Sequence, residues 1–190
     1  MPYSEVTATL EVLTRLGVEP EHLARLRLDL DYAKLVAGAL LKGLPVTGNG
    51  FLVTVDYDLS VKALVRECRC DWNNEDITTK NFLTKRIGQH EVKMKLFYFN
   101  RTVILEEAIA EMEKEGYRPA EFHELLAYGI KNPDEQRKYP IVALGSVWRY
   151  WFGFRYVAYL GGDGDERGLG LGCFGDEWSE YCRFLAVREL

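Results

Sequence analysis

Histidine and cysteine are scarce in this chain of 190 residues, which contains three of the first and four of the second. None of the histidines, His22, His90 and His123, has a Ser, Cys or carboxylate partner at a spacing typical of a catalytic site. The pair Cys68 and Cys70 is spaced more closely than a zinc motif requires, and no second Cys/His pair lies nearby. The sequence therefore predicts no catalytic residue, no bound metal and no cofactor.

Long apolar runs are also missing, so no membrane insertion is expected. The first residues, Met1-Pro2-Tyr3-Ser4-Glu5, lack the positive segment and apolar stretch of a signal peptide. We expect a cytoplasmic location with reduced cysteines, and export by another route stays open. The chain is 47% hydrophobic and 28% charged, which is typical of a globular protein with a sizeable core.

Positive charge is nearly absent from residues 161–180, where Arg167 is the one basic residue. Its acidic neighbours are Asp163, Asp165, Glu166, Asp176, Glu177 and Glu180, so this segment alone carries the chain's net charge of −5. Such a segment repels phosphate groups, which argues against nucleic acid as a partner. It does not fit an EF-hand, because Phe174 stands where the bidentate Glu is needed; a calcium site of another geometry stays open.

Hydrophobic periodicity and turn residues predict two regions, a helical N-terminal region over 1–45 and an α+β domain over 50–190. In the domain we expect helices at 59–67, capped by Asp58 or Ser60, at 104–115, closed by Gly116, and at 119–130, opened by Pro119. Strands are expected at 51–55, 92–99, 141–148, 154–160, 168–174 and 181–188. The C-terminal strands are expected to pair antiparallel through hairpins.

One of these strands alternates glycine with leucine, as Gly168-Leu169-Gly170-Leu171-Gly172-Cys173-Phe174. The alternation predicts that Leu169 and Leu171 lie on a buried face, whereas the glycine face carries almost no side chains. Glycine within a strand often marks the close approach of a ligand or of another backbone segment. We therefore expect the glycine face to belong to a binding site, and Gly170 to accept a serine at little cost.

Aromatic residues and glycines are concentrated around that strand. Residues 148–184 hold 11 of the 24 aromatic residues, and residues 145–175 hold 9 of the 17 glycines. This composition is typical of a recognition surface, because tyrosine gives a large contact area with little rotamer entropy to lose. We predict one contiguous solvent-facing binding surface, with Trp148 and Trp178 in the core beneath it. Its residues would be Tyr150, Phe152, Phe154, Tyr156, Tyr159, Asp163, Gly168, Gly170, Gly172, Asp176, Ser179 and Tyr181.

Several segments together resemble a known family. They include Tyr139–Trp148, the terminal Arg183-Phe184-Leu185-Ala186-Val187-Arg188, and Gly116-Tyr117-Arg118-Pro119-Ala120. Over roughly residues 50–190 the chain resembles the variable proteins of diversity-generating retroelements. The resemblance implies a C-type-lectin-like domain, related in architecture to formylglycine-generating enzymes, and a non-enzymatic role in binding a ligand such as a protein or a cell-surface molecule.

In that family an error-prone reverse transcriptase rewrites the 3′ end of the gene at template adenines, so a fixed scaffold presents a hypervariable surface. By resemblance, the scaffold would comprise Trp148, Val157, Leu160, Arg167, Leu169, Leu171, Phe174, Trp178 and Phe184. Two alternatives stay open. One is an oxidoreductase of the formylglycine-generating type that uses Cys173 and Cys182, and the other is a purely structural surface module.

Overall fold

The computed structural model describes residues 50–190, apart from the side chain of Asp163. The helical region expected over 1–45 lies outside the described residues. Residues 50–190 form a mixed α/β unit, compatible with the expected α+β class, with three α-helices and one eight-stranded sheet. The helices are α1 (Val61–Cys68), α2 (Leu105–Lys114) and α3 (Phe122–Lys131). The strands are β1 (Phe51–Asp56), β2 (Trp72–Asn73), β3 (Gln89–Phe97), β4 (Arg118–Pro119), β5 (Ile141–Arg149), β6 (Arg155–Asp163), β7 (Glu166–Cys173) and β8 (Arg183–Arg188).

Local sequence signals fix most helix ends. The Ser60 hydroxyl accepts a hydrogen bond from the Ala63 amide at 3.2 Å and caps α1. Gly116 follows α2 with φ of 74°, and the two amides at and after it bond back to the last turn of the helix, which is a Schellman motif. Pro119 does not open α3. It belongs to β4, and the helix begins three residues later at Phe122.

The sheet is mixed, which corrects the expectation of purely antiparallel C-terminal strands. Its order is β1-β3-β8-β5-β6-β7-β2, with β4 also paired to β8. Strands β5, β6 and β7 form consecutive antiparallel hairpins, as expected. Strand β8 does not extend that series: it inserts between β3 and β5 and runs parallel to β5. Strand β2 likewise pairs parallel with β7.

Both faces of the sheet are covered, because neighbouring residues of β8 point into two different hydrophobic clusters. Leu185 and Val187 belong to the cluster that includes the apolar faces of α1 and α3. Phe184 and Ala186 belong to the cluster formed with α2 and with the segment 174–182. We call these the α1/α3 face and the α2 face. A strand in this position is buried on both sides, which explains its nearly continuous apolar sequence.

A buried ionic network ties α3 to the centre of the sheet. The Glu124 side chain is fully buried and receives two hydrogen bonds from the Arg118 guanidinium, at 2.6 and 2.9 Å. The Tyr57 hydroxyl donates to the same carboxylate at 2.5 Å, and the Glu121 amide does so at 2.6 Å. These bonds offset the cost of removing the carboxylate from water. Burial, together with the Glu124 hydrogen bond, raises the pKa of Tyr57 well above its ordinary value.

Leu169, the fully buried leucine of β7, provides a stability test; Leu171, expected on the same buried face, is only half-buried. Leu169 is 0% exposed and packs on the α1/α3 face, whereas Leu83 is 74% exposed. We expect Leu169→Ala to lower the free energy of unfolding by about 2–5 kcal/mol through lost contacts and a residual cavity. The matched change Leu83→Ala should cost less than about 0.5 kcal/mol. Urea unfolding monitored by circular dichroism measures both, and equal losses would show that β7 is not part of the core.

Candidate ligand-binding surface

The sequence predicts that the glycine face of β7 is bare. In the structure, aromatic rings cover this face. Strand pairing places Tyr159 opposite Gly170, on the α2 face of the sheet. A Cβ atom added to each alternate glycine would lie 2.2–2.5 Å from an aromatic ring: Gly168 from Trp72, Gly170 from Tyr159 and Gly172 from Trp178. The absence of side chains therefore lets three aromatic rings approach the backbone closely.

The segment between β7 and β8, residues 174–182, holds one of these rings in place. Trp178 exchanges two backbone hydrogen bonds with Val103, at 2.9 and 3.0 Å. Its indole ring packs edge-on against Tyr159 and Phe184, with ring centroids 6.2 and 6.4 Å apart. Trp178 is thus half-buried and contributes to the α2-face cluster, while Asp176, Ser179 and Tyr181 of the same segment are exposed to solvent.

A cleft of about 340 Å³ lies between this segment and the sheet. Its lining includes Pro140, Tyr159, Gly172, Asp176, Trp178 and Cys182. The volume is near the lower end of the range for small-ligand pockets. The lining contains the aromatic rings of Tyr159 and Trp178 and two acidic residues, Asp176 and Glu177. The cleft suits a single flat or cationic side chain better than a large cofactor.

The β5–β6 hairpin forms the second part of the surface, and its tip is strongly aromatic. Trp151 is 77% and Phe152 95% exposed, and Tyr150 and Phe154 are also exposed. The Tyr150 amide donates to the Phe154 carbonyl at 2.7 Å and closes the turn. Phe152 has φ of 64°, in the left-handed region that non-glycine residues rarely occupy. Strict alternation of a strand misses Trp151, although this residue lies within the aromatic run, because alternation does not hold across a turn.

An aromatic cluster supports the base of this tip. Trp148 lies 5.2 Å from Tyr150 and 5.5 Å from Tyr156, measured between ring centroids. The sequence predicts that Trp148 lies in the core. It is half-buried and packs against the cluster on the α1/α3 face, just as Trp178 packs against the cluster on the α2 face. Strand pairing aligns Tyr156 with Trp148 and Tyr159 with Gly170, so Tyr156 and Tyr159 lie on opposite faces of β6. The expectation that they share one face is therefore wrong.

The candidate residues thus fall into two groups. The tip group consists of Tyr150, Phe152, Phe154 and Tyr156, and the cleft group consists of Tyr159, Gly170, Gly172, Asp176, Ser179 and Tyr181. Between the two groups, the Phe174 amide donates to the Arg155 carbonyl at 2.8 Å and the Arg155 guanidinium stacks on the Phe174 ring. The single surface expected from the sequence is thus divided, since Tyr156 and Tyr159 lie on opposite faces of β6. Gly168 lies apart from both groups, at the other end of β7 beneath Trp72. No local sequence pattern predicts this contact, because the two residues are far apart in the chain.

The two cysteines of the oxidoreductase alternative both line the cleft. Cys182 is buried, and its sulfur lies 3.7 Å from the Ser179 hydroxyl. Burial raises the pKa of the Cys182 thiol, which is the opposite of what a nucleophilic thiolate requires. Among residues 50–190, no group of three or more His, Cys, Asp or Glu side chains is arranged to hold a metal ion.

Comparisons of the chain with protein-family models, with curated proteins and with solved structures gave no match. Within the described part of the chain, no helix is both long and apolar enough to cross a membrane.

The contact between Gly170 and Tyr159 predicts the effect of adding a methyl group. The expectation that Gly170 accepts a serine at little cost is wrong, because a Cβ atom there would lie 2.5 Å from the Tyr159 ring. We expect even Gly170→Ala to destabilise the protein by about 1–3 kcal/mol, since the Tyr159 ring packs against Trp178 and cannot move freely. The loss should be much smaller in a Tyr159→Ala background, with a coupling energy of about 0.5–3 kcal/mol in a double-mutant cycle.

The matched control is Gly175→Ala, since a Cβ atom there meets nothing within 4 Å. This change should alter the free energy of unfolding by less than about 0.5 kcal/mol. If Gly170→Ala were as neutral as Gly175→Ala in denaturant unfolding, the aromatic cover of β7 would not be a packed contact.

Proposed function

We propose that this protein is a non-enzymatic recognition protein that binds its ligand through the β5–β6 tip and the adjacent cleft. The observation that carries the proposal is the tip itself, where four aromatic residues at positions 150, 151, 152 and 154 are exposed together. Large exposed apolar patches on a folded protein mark interaction surfaces. Aromatic residues of this kind serve as rigid anchors in protein interfaces.

Backbone strain at the tip supports a functional role. The left-handed conformation costs an ordinary L-residue about 1–2 kcal/mol. Phe152 adopts it with φ of 64° and gains no burial in return, since its side chain is almost fully exposed. Asn or Gly would fit the same turn at lower cost. Stability therefore does not account for a phenylalanine here, whereas contact with a partner does.

Charge around the cleft favours a basic partner. Asp176, Glu177 and Glu180 are exposed in the segment that borders the cleft, and none forms an ion pair with another described residue. A cationic group that entered the cleft would meet carboxylates at its mouth and the aromatic rings of Tyr159 and Trp178 along its wall. Both contacts are favourable to a positive charge.

The finer proposal is that the chain is a variable protein of a diversity-generating retroelement with a C-type-lectin-like domain. Its support is the division between fixed and variable positions. Most of the scaffold residues implied by the resemblance are buried, namely Val157, Leu160, Arg167, Leu169, Phe174 and Phe184, while Trp148, Leu171 and Trp178 are half-buried. The exposed members of the candidate site lie on the tip and on residues 175–181, where replacement leaves the core unchanged.

Because the scaffold residues are buried and the tip residues are exposed, the tip should tolerate simultaneous substitution of several residues. We expect a library randomised at Tyr150, Trp151, Phe152 and Phe154 to consist mostly of folded proteins, with melting temperatures within about 4 °C of the parent, because these side chains add little to the core. Display of the library and selection on immobilised lysozyme, a small basic protein, should yield binders that lose affinity as salt concentration rises.

The matched control is a library randomised at Leu83, Lys85 and Ile87, which are also exposed but lie away from the tip. It should remain folded and yield no binders. Widespread unfolding of the tip library, or equal recovery of binders from both libraries, would count against the tip as the recognition surface.

The retroelement assignment has its own test in the genome. We expect the nucleotide sequence beside this gene to contain a near-copy of its 3′ end that differs at adenines, together with a reverse transcriptase gene. The mismatched codons should include those for candidate site residues and should not include the codon for the scaffold residue Trp178. The candidates within residues 150–156 and 175–181 are Tyr150, Phe152, Phe154, Tyr156, Asp176, Ser179 and Tyr181. Their absence would refute the retroelement assignment and leave the recognition surface to be judged by the library experiment.

A further inference from the structure

Two thiols lie close together at the carboxyl end of α1, on the face of the sheet opposite the cleft. Helix α1 ends at Cys68, and Arg69 follows in the left-handed conformation with φ of 51°, which turns the chain back. As a result the Cys70 sulfur lies 3.3 Å from the Cys68 sulfur. Cys68 is buried and Cys70 is half-buried, so one thiol of the pair is accessible and the other is enclosed.

A buried cation lies beside this pair. Arg167 of β7 is only 8% exposed, and its guanidinium donates to the Cys68 carbonyl at 2.7 Å and to the Arg69 carbonyl at 3.3 Å. It also lies 3.9 Å from the Cys68 sulfur. No carboxylate whose side chain the structure describes forms an ion pair with this guanidinium, and its Nε atom has no hydrogen-bond partner among the described residues. The Asp71 carboxylate accepts a hydrogen bond from the Arg167 backbone amide, at 2.7 Å.

A buried guanidinium without an anion is costly, and the carbonyl groups at the end of α1 offset only part of that cost. The Cys68 thiol, which can become anionic, lies beside the guanidinium, and the Cys70 thiol lies next to it. We propose that Cys68 and Cys70 form a redox-active dithiol, in which Cys70 is the attacking thiol and Cys68 the resolving thiol, and that a low-molecular-weight disulfide oxidises it to an intramolecular disulfide.

The ionisation of the pair agrees with these roles. The hydrogen bond from the Cys68 thiol lowers the pKa of Cys70 to about 7, against the opposing effect of burial, and Arg167 and Gln136 act in the same direction. Asp71 raises the pKa of Cys70. The same hydrogen bond and burial raise the pKa of Cys68, so this thiol keeps its proton until the first exchange has occurred. Cys70 therefore has the larger thiolate fraction of the two at neutral pH, and thiolate is the reactive form.

The exchange proceeds in two steps. The Cys70 thiolate attacks one sulfur of the external disulfide, whose sulfur–sulfur bond breaks, and one thiolate leaves and takes up a proton. The Cys68 thiol then loses its proton to solvent and attacks the Cys70 sulfur, which releases the second external thiol. Two protein thiols are oxidised to one disulfide, and the external disulfide is reduced to two thiols. The two sulfur atoms must approach from 3.3 Å to about 2.05 Å.

The test uses the full chain and glutathione disulfide as the probe. The reduced protein is equilibrated with glutathione and glutathione disulfide, alkylated, digested and analysed by mass spectrometry. We expect the peptide with Cys68 and Cys70 to lose two hydrogen atoms and to escape alkylation. In Cys68→Ser, a glutathione adduct should accumulate on Cys70, because the resolving thiol is missing. In Cys70→Ser, Cys68 should acquire no adduct, because it is buried.

A pH profile tests the electrostatic part. The alkylation rate of Cys70, followed in a Cys173→Ser/Cys182→Ser background, should show a midpoint below the ordinary value of about 8.5. Arg167→Met should move the midpoint upward, provided that circular dichroism shows a folded protein; if it does not, the cysteine variants decide. A disulfide between other cysteines, adducts on both thiols, no oxidation at all, or an ordinary midpoint for Cys70 would overturn the proposal.

Discussion

The central position of β8 is the constraint on which the rest of the structure depends. Residues 184–187 are at most 1% exposed and hold β3 and β5 together across the middle of the sheet. The chain completes β7 on one side of the sheet and must return past β6 and β5 to reach this place. Residues 174–182 therefore cross the α2 face, and everything at the cleft follows from that crossing.

The segment 174–182 can pack closely on β7 because the strand has a glycine at the point of contact. Because Gly172 has no side chain, the Trp178 ring can lie directly on the strand, and the pairing of Trp178 with Val103 fixes its position. Tyr159 covers Gly170 in the same way. The glycines thus shape the cleft through the rings above them, since Tyr159 and Trp178 belong to its lining. A substitution at Gly170 or Gly172 would change this lining from beneath.

Local patterns predicted the elements well and their arrangement poorly. The strand over 51–55 is confirmed. Ser60 caps the start of α1 and Gly116 closes the end of α2, as the sequence indicates. The parallel pairing of β8 and the contact of Trp72 with Gly168 depend on residues distant in sequence, so no local pattern could reveal them. The placement of Tyr159 was within reach, since a residue three positions after Tyr156 must point to the opposite face of a strand.

The proposed variable surface would depend on the separation of residues that stabilise the fold from residues that contact a ligand. Leu169 is completely buried and Phe152 is almost completely exposed, yet they belong to the same hairpin system of β5, β6 and β7. A side chain that makes no core contact can be replaced without loss of stability, and one that occupies a strained turn can even be replaced with a gain. Substitutions at the tip are thus expected to change binding with little effect on the stability of the fold. The thiol pair beside Arg167 lies on the opposite face of the sheet from the cleft, so its chemistry can be changed without altering the cleft wall.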